Sequence, residues 1–177
     1  MHTKSYKYKS LISIMSEENN NTLQDTWTLW YHLTSDNNWN VDSYKKVINV
    51  SSLEETCFLT KQLNEVYITN CMFFFMKNNI FPVWEDEANK NGGCFSFKIQ
   101  NRQVYDVWNT LLFLTIGNTL FDDENHMKLV NGITISPKKY FCIIKVWMAT
   151  CEVDDINLLK KNSTISYDSC IFKKHQE

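Results

Sequence analysis

Between an unbroken apolar run, Cys71-Met72-Phe73-Phe74-Phe75-Met76, and an alternating one, Cys94-Phe95-Ser96-Phe97-Lys98-Ile99, the chain carries Trp84-Glu85-Asp86-Glu87-Ala88-Asn89-Lys90-Asn91-Gly92-Gly93. Two strand-like stretches around an acidic, asparagine-rich turn closed by paired glycines commit this region to a β-sheet. The first run reads as a buried strand and the second as its hairpin partner.

The flanking sequence extends that sheet. Trp27, Leu29, Tyr31 and Leu33 alternate with Thr28, Trp30 and His32, a strand pattern, and residues 44–50 read as a second strand. Ser52-Leu53-Glu54-Glu55 is a capping box, so a helix is expected from there to about Val66. A second helix is expected over 104–116, with Gly117 as a left-handed C-cap. Later strands are expected over 127–135 and 140–149, with Pro137 in the turn between them. A short helix near 154–161 and a last strand near 169–173 complete the chain. Strand pairs interrupted by helices describe an α+β fold, an antiparallel sheet with helices on one side. Residues 1–22, with Lys4, Lys7, Lys9 and an Asn19-Asn20-Asn21 run, read as a mobile tail. At 177 residues the chain suffices for one domain with a real core, placed at 23–177.

Charge narrows the function. A protein gripping a long nucleic acid by its backbone would be basic, whereas this chain has net charge −2. Any nucleic-acid ligand must be held at one small feature. The six cysteines form no C-x-x-C pair and no metal-ligand spacing, which suits buried thiols in a reducing compartment. No apolar run reaches the ~18 residues of a membrane span, and Leu11-Ile12-Ser13-Ile14-Met15 is too short for a signal-peptide core. A soluble, cytoplasmic monomer without cofactor or metal is expected. His2, His32, His126 and His175 are scattered, and adjacent acids in a turn point in different directions. A hydrolase built on Glu85, Asp86 and Glu87 is therefore a weaker reading than a binding protein.

The Trp84-Glu85 pair has a specific use. An electron-rich ring attracts a delocalised cation lying over it, and a carboxylate accepts two coplanar donors such as the N1–H and N2–H₂ edge of guanine. N7-methylguanine is such a cation. Tryptophans more often fill a core, and Trp27, Trp30 and Trp108 read that way. Trp39 differs, because Asp36, Asn37, Asn38 and Asn40 around it favour an exposed loop.

Taken in order, four stretches resemble the translation initiation factor 4E family, the messenger-RNA cap-binding proteins. They are Leu23-Gln24-Asp25-Thr26-Trp27-Thr28-Leu29-Trp30, the W-E-D-E-x-N-x-x-G-G segment, Trp108 with Thr110-Leu111-Leu112 through Ile116-Gly117, and Trp147 followed by Thr150-Cys151-Glu152. The resemblance covers residues 21–177. It implies a strongly curved antiparallel sheet of about eight strands with about three helices on its convex face. It also implies that Trp39 and Trp84 sandwich the methylated base, that Glu85 reads its edge, and that Trp147 lies against the N7-methyl group. The implied partners are capped messenger RNA and a scaffold or regulator peptide on the convex face.

The chain departs from the family at several positions. Cys94 stands where an arginine usually meets the cap phosphates, and Ile143 at a second basic position. Lys138 is retained, with Lys139 beside it, and period-two alternation places Lys145 on the Trp147 face. The resemblance thus leaves Lys138, Lys139 and Lys145 for the phosphates, with Lys173 and Lys174 near the following nucleotide. On the convex face, Cys57 replaces a peptide-docking tryptophan, Asn109 a leucine and Asn21-Thr22 a His-Pro pair, while Leu53 and Phe113 stay apolar. A divergent mode of partner binding is expected.

Overall fold

The structure, a computed structural model, describes residues 21–175. The stretch read as a tail lies outside the described residues except for Asn21 and Thr22, and Thr22 already opens a strand. The strands are β1 (Thr22–His32), β2 (Lys45–Ser52), β3 (Met72–Lys77), β4 (Gly93–Gln100), β5 (Val130–Pro137), β6 (Phe141–Met148) and β7 (Ile171–Lys174). They form one curved, antiparallel sheet of seven strands in the order β2-β1-β3-β5-β6-β4-β7. Seven strands are thus found among the described residues where about eight were expected, and Phe121 and Leu159 form an isolated bridge outside them.

Sheet order corrects one expectation. β3 and β4 are not a hairpin, since β5 and β6 lie between them. The 78–92 segment is a structured crossing rather than a turn. Asn131 of β5 donates to the carbonyl of Ala88 at 2.7 Å and to Asn89 Oδ1 at 3.0 Å, pinning that crossing to the sheet. Its glycines are required by close approach. A Cβ on Gly92 would run into the Met148 carbonyl of β6, and one on Gly93 into Phe172 and Lys173 of β7.

The helices are α1 (Leu53–Gln62), α2 (Glu65–Asn70), α3 (Asn101–Ile116) and α4 (Glu124–Lys128). Ser52 caps α1 as expected, accepting the Glu55 amide, while Glu55 reaches back to the amide of Ser51. The helix expected to reach Val66 stops early because Asn64 accepts the amides of Val66 and Tyr67 and so starts α2. Past α3 the left-handed residue is Asn118 (φ 52°), not Gly117 (φ −82°). Asparagine tolerates that region, so the reversal falls one residue later than expected. Met127 belongs to α4 rather than to a strand, and Pro137 ends β5.

Strand alternation divides the side chains between two faces. Leu29, Phe73, Phe75, Phe95, Phe97, Ile133, Ile144 and Val146 point toward the helices and pack with Val107, Trp108, Leu111 and Leu112 of α3. Tyr44, Phe74, Met76, Val83, Cys94 and Trp147 form a smaller cluster on the other, concave face. No helix of the described residues is long and apolar enough to cross a membrane.

Candidate functional site

The concave cluster floors a cleft of about 460 Å³. Phe74 of β3, Thr134 of β5 and Trp147 of β6 form its base, and two loops form its walls. One wall, between β1 and β2, brings Trp39 and Tyr44. The other, between β3 and β4, brings Pro82, Val83, Trp84 and Glu85.

The two wall tryptophans differ from the floor tryptophan. Trp39 and Trp84 are 53% and 49% exposed, whereas Trp147 is 3% exposed. The Trp147 indole N–H donates to Thr134 Oγ1 at 3.1 Å, which fixes the floor ring across two strands. Half-exposed indoles facing one concavity are the arrangement a flat ligand can fill.

The Trp84 loop is held from within. Asp86 accepts the amide of Phe81 at 2.9 Å and that of Ala88 at 2.9 Å. Asn89 is fully buried and donates to the carbonyls of Phe81 (2.9 Å) and Val83 (2.8 Å). Asp86 thus organises the loop by accepting two of its backbone amides. Glu87 is solvated and, among the described residues, pairs with Lys90 at 2.6 Å. Glu85 alone of the three acids lines the cleft. Its charge is felt across the site: burial, then the Glu85 carboxylate, pushes the Tyr44 phenol up to about 12.

Basic groups gather on the same floor. Lys145 lines the cleft, with its ammonium 5.6 Å over the Trp84 ring. Cys94 pairs with Trp147 on one side and Lys173 on the other, so Lys173 shares the concave face. Burial pushes the Cys94 thiol up, against the nearby charges of Lys145 and Lys173. That thiol is neither nucleophile nor charge, and two lysines flank it.

Of the expected cap residues, Trp39, Trp84, Glu85, Trp147 and Lys145 meet in one cleft. Lys138 and Lys139 do not line it. They are exposed beyond the end of β5, and Lys139 lies 5.1 Å over the Tyr140 ring. On the helical face, Leu53 and Cys57 are exposed one turn apart on α1, and half-buried Asn109 and exposed Phe113 one turn apart on α3. Tyr105 of α3 reaches the Thr60 carbonyl of α1 at 3.5 Å, so the two helices adjoin. Among the described residues no cluster of His, Cys, Asp or Glu could hold a metal, and the cysteines described are free.

Two residues escaped the sequence reading. His32 is wholly buried and stacks on Trp39, and buried His175 touches both Trp84 and Trp147. Alternation does put His32 on the face opposite Leu29, but nothing local places residue 175 beside residue 84.

The chain is similar to known proteins in sequence and in fold. The family model for eukaryotic initiation factor 4E matches residues 22–176. The initiation factor 4E of Candida albicans is 33% identical over 141 residues, 73% of this chain and 65% of that protein. A homologue from Acanthamoeba polyphaga mimivirus is 41% identical over 64 residues, 36% of this chain and 24% of that one. The chain thus matches less than two thirds of the length of either relative. Among solved structures, the C. elegans factor 4E-3 in complex with the 4E-binding protein Mextli and a cap analog superposes with TM-score 0.76 at 24% identity, covering 88% of this chain and 93% of that one. A schistosome factor 4E complexed with m7GpppA and 4E-BP superposes with TM-score 0.67 at 26% identity, covering 75% of this chain and 74% of the other. With its curved sheet, its cleft and a match spanning nearly every described residue, the chain belongs to the eukaryotic initiation factor 4E family.

Proposed function

We propose that this protein binds the N7-methylguanosine 5′ cap of messenger RNA and acts in translation initiation, by binding and without catalysis, in the cytoplasm, through a single domain over 23–177. The observation that carries this reading is the pair of half-exposed indoles, Trp39 and Trp84, on opposite walls of one cleft with Glu85 beside them. The base stacks between the indoles, each contact worth roughly 1–3 kcal/mol. Glu85 takes the N1–H and N2–H₂ donors, the Trp84 amide meets O6, and Trp147 lies against the methyl group. Methylation makes the purine a cation, so two aromatic faces and a carboxylate all favour it over guanine.

Lys145 and Lys173 flank the buried Cys94 and take the phosphates that an arginine there would take, while Lys138, outside the cleft, adds little. Few phosphate charges are then neutralised. Tryptophan fluorescence titration tests both parts together. N7-methyl-GTP should bind at least about tenfold tighter than GTP, a difference of about 1.4 kcal/mol. Its salt slope should correspond to fewer than about three released counterions. Equal affinity for the two nucleotides sinks the reading, and a steeper slope sinks the account of the phosphates.

A second reading is supported by the helical face. There Cys57 and Asn109 offer little area to a docking helix, although Leu53 and Phe113 remain exposed. Loss of a large aromatic anchor weakens an interface by about 2 kcal/mol or more. The protein then engages a divergent partner, or sequesters capped messages without a scaffold. Retention of an ordinary 4E-binding peptide should accordingly be at least about thirtyfold weaker than for a relative bearing tryptophan. Undiminished affinity in a pull-down would count against this reading.

A further inference from the structure

Both wall tryptophans stand on loops, and each rests on a buried imidazole supplied by the sheet. His32 is the last residue of β1. Its ring lies 4.3 Å from that of Trp39 with 4° between the planes, a face-to-face stack. Its Nε2 donates at 2.7 Å to the carbonyl of Asn38, the residue before Trp39. His175 follows β7. Its ring is parallel to that of Trp84, with 5° between the planes and 6.2 Å between centroids, and tilts against Trp147 at 4.6 Å. Its Nδ1 donates at 2.8 Å to the carbonyl of Asn89, in the same loop as Trp84. One device therefore occurs twice: a ring anchored at a strand end stacks beside an indole, and its N–H ties down the loop that carries that indole.

Neither histidine lines the cleft, so a ligand meets Trp39 and Trp84 without touching either imidazole. The remaining ring nitrogens, His32 Nδ1 and His175 Nε2, are buried without a hydrogen-bond partner among the described residues. A polar network is not what these rings supply; a flat surface and one tether are. Burial, and then Lys145, also hold the His175 imidazole below its ordinary range, against the raising effect of the Asn89 carbonyl. A neutral ring adds no positive charge behind a site that takes a cation.

We propose that His32 and His175 are positioning residues that hold Trp39 and Trp84 in the base-accepting orientation before the ligand arrives. An indole on a loop that must be ordered at binding weakens affinity, and prior ordering removes that penalty. This inference rests on the reading that the cleft takes N7-methylguanine.

The test compares wild type with His32→Leu, His175→Leu and His32→Phe. Each is titrated with N7-methyl-GTP, and its ligand-free fluorescence is quenched with acrylamide. Each Leu variant should bind about threefold to tenfold more weakly, the span expected for loss of an aromatic pair, with a larger quenchable fraction before ligand is added. His32→Phe keeps a ring in place and should recover most of the lost affinity and the wild-type quenching. Leu variants that bind and quench like wild type overturn the proposal, as does a His32→Phe variant as weak as His32→Leu. If one Leu variant does not fold, the other decides, with His32→Phe read in either case. Failure of the wild type itself to prefer N7-methyl-GTP would instead overturn the cap-binding reading.

Discussion

Replacing Glu85 with alanine is expected to weaken N7-methyl-GTP binding about 100-fold and to reduce the preference over GTP to the share that the two indoles supply. The magnitude follows from the chemistry of the edge it reads. A hydrogen bond to an ionised group contributes about 1.5–3 kcal/mol, and Glu85 offers two acceptors in one plane. Because the carboxylate is exposed, the smaller end of that range applies to each bond, about 3 kcal/mol in all. Glu85→Gln should lose nearly as much, since its amide presents a donor to one of the two guanine donors and carries no charge toward the cation. Glu87→Ala provides the contrast. That side chain sits in the same loop but pairs with Lys90 at the surface and does not line the cleft, so its loss should leave affinity within about twofold. Calorimetric titration of the three variants separates edge recognition from general acidity of the loop. Equal losses at positions 85 and 87 would mean that only the loop's net charge matters.

The contrast between these neighbouring acids shows what sequence can and cannot resolve. W-E-D-E names three carboxylates, and their roles diverge only in three dimensions. Asp86 turns inward to two amides, Glu87 outward to Lys90, and Glu85 into the cleft. Period-two alternation was enough to put Lys145 and Trp147 on one face, because a strand's geometry is local. The capping box at Ser52 was legible for the same reason. By contrast, the expected β3–β4 hairpin failed because sheet order depends on which distant strands compete for an edge. Here Asn131 of β5 captures the intervening loop. The family resemblance carried Trp39 and Trp84 into a shared site, yet it said nothing of the rings behind them. His32 and His175 are separated from each other by most of the chain, and only the fold gives them equivalent tasks.

Asn89→Ala should reduce stability and cap affinity together. The side chain is fully buried and donates to two carbonyls, Phe81 at 2.9 Å and Val83 at 2.8 Å, while its own oxygen accepts from Asn131 at 3.0 Å. Alanine leaves both carbonyls without that donor, each at roughly 1–3 kcal/mol, although Asn131 keeps its bond to the Ala88 carbonyl. A net loss of about 3 kcal/mol is expected, which lowers Tm by roughly 6–12 °C in a chain of this size. The affected stretch is the one that carries Trp84 and Glu85, so cap affinity should fall by at least about tenfold in protein that remains folded. Asn89→Asp sharpens the test, because it keeps the acceptor for Asn131 but replaces both donated bonds with a buried negative charge facing two carbonyls. It should be at least as damaging as alanine. Scanning calorimetry and ligand titration on the same samples decide the matter. A variant that melts early yet binds N7-methyl-GTP as wild type does would mean that the placement of Trp84 and Glu85 does not depend on the Asn89 bonds. The buried asparagine would then be a fold element with no bearing on recognition.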